Sequence, residues 1–219
     1  MDASDQVIFL LKVMINIMPV AVYFLVLGLV NSQAQPVLVN ARSDFQILTL
    51  VFVPLLVGPM PFLVEAGQWW VLLGGAAITL GGFWRFLPGR ASGWVLYNVT
   101  EAQGRAMLCR ALAAWGAVHQ TDDRTYHVPA LGMRLEVSGF SLLRNVTVRI
   151  RWRDGAVDWG RFEALGRRLH AQMQQQALLP SATGGCLMVL GVSLMIVPLW
   201  LMSHHIDAIV EIVQRLLFA

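Results

Sequence analysis

Arg149, Arg151 and Arg153 stand at alternate positions in the run 145–153, with Val146, Val148, Ile150 and Trp152 between and around them. Successive side chains of an extended chain point to opposite faces, so this spacing sets three guanidinium groups in a row on one side of a strand. Such a row repels itself unless anions or carboxylates lie opposite, and its chemistry is recognition of negative charge. The other reactive side chains are dispersed. His119, His127 and His170 are far apart, adjacent His204 and His205 do not share a helix face on which to hold a metal, and Asp122-Asp123 lie in a turn-forming run. Cys109 falls on the apolar side of a helical pattern and reads as a core thiol, while Cys186 falls in an apolar span, so neither a disulfide nor a nucleophile is expected. The sequence contains no phosphate-binding glycine loop, dinucleotide fingerprint, paired-histidine zinc motif or nucleophile elbow. It thus points to no catalytic residue, no metal site and no particular cofactor.

The arginines belong to a distinct block. Residues 90–182 hold twelve arginines against seven acidic residues, whereas the rest of the chain holds four basic and six acidic residues. Across all 219 residues 57% are apolar and 13% charged, against about 45–50% and about 25% in an ordinary soluble domain. This composition excludes disordered and disulfide-framework classes and argues for lipid as solvent. Apolar stretches at 7–30, 45–64 and 68–87 precede the block and one at 184–202 follows it, each near the roughly 20 residues that cross a bilayer as a helix. The acidic start Met1-Asp2-Ala3-Ser4-Asp5 and the length of the first stretch favour a membrane helix over a secretory signal. Pro54, Pro59 and Pro61 should kink or unwind the outer end of the second stretch.

Within the block the apolar period shifts to alternation. The pattern gives a strand at 94–99, then a helix opened by a Thr100/Gln103 capping box and closed by Gly116. A hairpin pairing 117–120 with 125–128 follows, then a strand at 133–138, an apolar connection at 139–144 and the arginine-bearing strand. Asp158 caps a last helix whose stripe is Phe162, Leu165, Leu169 and Met173. The expected fold is an integral membrane α-helical protein of four transmembrane helices carrying an inserted small α+β sandwich ordered β-α-β-β-β-β-α. Its domains are 1–89, 90–182, and 183–219 with the fourth membrane helix and an amphipathic helix from Ile206 onward.

Basic residues flanking membrane helices stay on the cytoplasmic side. Arg85 and Arg90 therefore assign residues 90–182 to the cytoplasm of an inner (plasma) membrane protein, which puts both termini outside and leaves Asn98 and Asn145 unglycosylated despite their Asn-x-Thr context. Three sets of residues stand out as interaction candidates. Lys12, Asn16 and Tyr23 share one face of the first helix; Gly74, Ala77 and Gly81 give the third a side that another helix can approach closely; Arg149, Arg151 and Arg153 form the cationic row. The partners these features suit are other membrane-protein subunits and anionic lipid head groups. Nucleic acid is disfavoured because no aromatic set is interleaved with the arginines. The expected role is a non-catalytic accessory, structural or assembly subunit of a larger inner-membrane complex, respiratory, photosynthetic or transport-related. The alternatives are a homo-oligomeric channel, transporter or sensor gated by its cytosolic domain, and a membrane enzyme acting on a lipid-linked substrate.

Overall fold

Apolar residues dominate the first thirty positions, and in the computed structural model they form a helix, α1 (Ala3–Ser32), that continues through Pro19. The structure describes residues 3–58, 60–117, 120–122, 124–153, 155–176, 181–207, 209–210 and 214. Strand β1 (Val37–Asn40) leads into α2 (Ala41–Val57), a short helix α3 (Met60–Glu65) and α4 (Trp69–Phe86). Then come β2 (Gly93–Tyr97), α5 (Glu101–Ala113), β3 (Gln120–Asp122), β4 (Thr125–Val128), β5 (Met133–Phe140), β6 (Asn145–Trp152), α6 (Trp159–Gln174) and α7 (Ala182–His204). Two compact units divide the chain: Met1–Leu27, Leu48–Arg85 and Cys186–Ala219 in one, Gly28–Ile47 and Phe86–Gly185 in the other.

Among the described residues two helices are long and apolar enough to cross a membrane, over Lys12–Ser32 and Ala182–His204. The expectation of four such helices is thereby corrected to two. The stretch at 45–64 is broken between α2 and α3, because Pro54 and Pro61 withdraw backbone donors and the helix ends with Gly58 N–H bonded to the Pro54 carbonyl at 2.7 Å. The stretch at 68–87 yields α4, only 18 residues long, with four glycines inside it and Arg85 in its last turn. Gly191 of α7 lies against α1, where a Cβ would come within 2.9 Å of the Ala21 carbonyl oxygen, so only glycine allows this approach. The amphipathic segment expected from Ile206 to Ala219 lies largely outside the described residues; Ile206, Asp207, Ile209 and Val210 within it are helical.

The second unit is a six-stranded antiparallel sheet in the order β1-β2-β6-β5-β4-β3, and its elements from β2 to α6 follow the expected order β-α-β-β-β-β-α. Helices α5 and α6 pack on one face and bury Leu108, Leu112, Leu165 and Leu169 against Leu96, Leu135, Val146 and Val148. Trp94 stacks on Phe162 with ring centroids 4.2 Å apart. At Gly104 a Cβ would stand 2.9 Å from Val146 Cγ1, so α5 lies close against β6. Both helix starts carry their expected caps: Thr100 and Gln103 bond reciprocally, and Asp158 accepts from Arg161 N–H. A Schellman pair, Ala117 N–H to Leu112 carbonyl and Gly116 N–H to Ala113 carbonyl, closes α5.

Three expectations shift in detail. The hairpin pairs Gln120 with His127 and Asp122 with Thr125, so its turn is shorter than 121–124. Gly139 and Phe140 extend β5 instead of belonging to a loop, leaving a single 3-10 turn at Ser141–Leu143 closed by Arg144 at φ 48°. The sixth strand, β1, is supplied by the segment after α1, where no strand was expected: Val37 pairs with Tyr97 and Asn40 with Trp94.

Candidate anion-binding face

The face of the sheet opposite α5 and α6 has two halves. On β2, Val95 and Tyr97 point to this side yet are buried. Tyr97 donates its hydroxyl to Asp44 Oδ1 at 2.5 Å, and burial raises the Asp44 carboxyl above the usual range despite this bond. On β6, β5 and β4 the face is open. Alternation along β6 buries Val146, Val148 and Ile150 and leaves Arg149 and Arg151 exposed, as their spacing requires; Arg153, just beyond the strand, is also exposed.

Register then adds groups that no local pattern reveals. His127 pairs with Arg134 and Arg134 with Arg151, which sets an imidazole and two guanidiniums side by side across three strands. Directly opposed residues on neighbouring strands sit about 4.5–5.5 Å apart, close enough for like charges to destabilise the pair. Relief comes from Glu136, whose Oε1 lies 3.0 Å from Arg151 Nε and 3.8 Å from Arg134 Nε, and Glu136 is itself paired in register with Arg149. One carboxylate therefore serves several guanidiniums. At the end of the row His127, Arg134, Arg151 and Arg153 surround a cavity of ≈ 380 Å³ whose wall also includes Val128, Met133 and Trp152. Alternation of 133–138 already put Arg134 and Glu136 on the outer side; their juxtaposition with His127 and Arg151 is a tertiary fact.

Four other arginines of the unit are engaged elsewhere. Arg105 and Arg124 lie 2.5 and 3.5 Å from Glu101, and the hydrogen bond from Arg105 holds that carboxyl below its usual range. Arg161 pairs with Asp158 at 3.1 Å and donates from Nη1 to the Leu131 carbonyl at 2.8 Å, while Arg168 lies 4.6 Å over the Trp115 ring. Cys109 is half-buried beside the core, hydrogen-bonded with Tyr126; burial first, then this bond, pushes the Tyr126 hydroxyl up to about 12.

The other sequence candidates lie in the first unit and are not brought to this face. Asn16 donates to the Lys12 carbonyl at 2.6 Å and its side chain fills the space beside Gly58, and Tyr23 makes an edge contact with Phe52 at 6.4 Å, so this stripe of α1 packs on α2 of the same chain. Gly74, Ala77 and Gly81 are exposed on α4, and nothing among the described residues lies within 4 Å of a Cβ built at Gly74 or Gly81. Among the described residues no group of three or more His, Cys, Asp or Glu is gathered as metal ligands. No family model, no curated protein and no solved structure matches the chain.

Proposed function

We propose that this chain is a non-catalytic accessory or assembly subunit of a larger inner-membrane complex, anchored by its apolar helices and presenting the cationic half of its sheet to a partner on the cytoplasmic side. One observation carries the reading. Helix α4 has no buried residue, and Trp70, Ile78 and Trp84 are 86%, 78% and 81% exposed. An apolar helix with tryptophans near both ends and a bare glycine side suits the bilayer and a neighbouring helix, and is costly in water. At 1.5 Å per residue its 18 residues extend about 27 Å, close to the hydrocarbon thickness. In the proposed arrangement α1 and α7 cross the membrane, and α3 and α4 lie in its apolar layer. Pairing of β1 with β2 supports one side for 37–40 and the sheet, and Arg85 and Arg90 favour the cytoplasm for that side.

The test is purification of the tagged full chain from its native membrane in mild detergent. A defined hetero-complex, lost when Arg149, Arg151 and Arg153 are all changed to Gln while the unfolding profile is retained, is the expected result. A symmetric ring of identical chains, or a lone chain that turns over lipid-linked substrate, refutes the reading.

A further inference from the structure

The cavity at the end of the arginine row is more than a stretch of charged surface. Its open side gathers His127, Arg134 and Arg151 in one cross-strand line, and Arg153 stands beside that line, two residues beyond Arg151 along the chain, its backbone N–H bonded to the Gly132 carbonyl at 2.9 Å. Among the described residues that line it none is acidic, and the Glu136 carboxylate is already shared between Arg134 and Arg151. Placing two guanidiniums directly opposite each other disfavours the empty site, and a bound anion removes that repulsion.

We propose that this cavity binds a phosphate group, carried either by a small soluble organic molecule or by a phospholipid head group. The proposal does not depend on the chain being a subunit of anything. Guanidinium forks match phosphate oxygens two at a time, and three forks from different directions suit a tetrahedral anion better than a planar carboxylate. The ring of His127 can add a further hydrogen bond. A volume of ≈ 380 Å³ lies in the range of small-molecule sites and leaves room beyond the phosphate itself. That room is bordered by Pro129, Gly132 and the half-buried Trp152, the Val128 and Met133 side chains being turned into the core, and it suits a small glycerol-like moiety. Trp152 is half-buried, with its indole N–H donated to the Ala91 carbonyl at 3.4 Å, so it forms wall and not a stacking platform for nucleobases.

The experiment is isothermal titration of the full chain in zwitterionic nanodiscs at fixed ionic strength, with three probes: inorganic phosphate, glycerol phosphate, and phosphatidylcholine vesicles containing phosphatidic acid, against vesicles without it. Saturable binding is expected, weakened about tenfold by each guanidinium removed and so about hundredfold in Arg134→Gln/Arg151→Gln. Arg167→Gln, exposed on α6 away from the cavity, should bind within about twofold of the parent. Binding of the soluble probes identifies a free phosphate compound as the source, and binding of the vesicles alone identifies a head group. Absence of saturable binding of all three probes to the parent chain overturns the proposal, as does undiminished binding by a folded double variant. Should that variant unfold, Arg153→Gln, beyond the strand, is read in its place: a tenfold loss supports the site and no loss refutes it.

Discussion

Asn98, immediately after β2, offers a test in which backbone and side-chain effects separate. It is fully buried at φ 62°, and its Nδ2 donates to the Gln33 carbonyl at 2.7 Å while its Oδ1 has no hydrogen-bond partner among the described residues. Asn tolerates the left-handed region, Gly adopts it freely, and Ala pays about 1–2 kcal/mol there. Asn98→Ala and Asn98→Gly both remove the bond to Gln33 and the orphaned Oδ1, so those contributions cancel in their difference. Alanine should be the less stable by about 1 kcal/mol, or about 2–4 °C in Tm for a chain of this size. Asn98→Asp keeps shape and backbone tolerance but turns a donor into a carboxylate oxygen facing the Gln33 carbonyl, at a cost of about 3 kcal/mol or more when ionised. Since the folded state then favours the protonated acid, the cost should grow as pH rises from 5 to 8. Thermal unfolding in mild detergent, followed by near-ultraviolet dichroism, measures all three. Equal Tm values for the Ala and Gly variants would refute the assigned backbone conformation, and an Asp variant as stable as the parent at pH 8 would refute the hydrogen bond.

Two further expectations concern the same unit. The Asp44 carboxyl is raised by burial in the folded state, so this group's contribution to stability is greatest below its unfolded value near 3.8 and declines as pH climbs through the raised one; Asp44→Asn should flatten that decline while keeping an acceptor for Tyr97, and an unchanged slope of unfolding free energy against pH would exclude Asp44 as its source. Gly104→Ala should destabilise by about 1–3 kcal/mol through overlap with Val146, offset by up to about 1 kcal/mol of helix propensity. Combining it with Val146→Ala should recover part of the loss, and strict additivity in denaturant midpoints would show that the two positions do not touch.

What could be read without coordinates was whatever is encoded within a few residues. The Thr100/Gln103 box, the Asp158 cap and the two-residue period of 145–152 each state their structure locally, and each appears in it. The order of elements from β2 to α6 followed from such signals. The cationic cavity did not, because bringing His127 and Arg134 beside Arg151 depends on register between strands, which the alternation of each strand leaves open. Strand β1 was hidden for another reason: four residues, Val37 to Asn40, are too few to show a period, and the edge they pair with begins beyond α2, α3 and α4. The apolar run at 45–64 hid its own break, since hydropathy counts side chains whereas Pro54, Gly58 and Pro61 act on the backbone.

The loan of β1 to the sheet has a consequence for how this protein can be cut and how it is made. A fragment trimmed to the arginine-rich block would carry a five-stranded sheet with the β2 edge naked, and Val95 and Tyr97 would meet solvent beside a row of unfilled backbone donors and acceptors. During synthesis the lender leaves the ribosome long before the borrower and must stay unpaired until residues 93–97 emerge, by which time the intervening apolar helices have been made. A recombinant piece intended to behave natively should therefore carry residues 37–40 grafted back onto its edge.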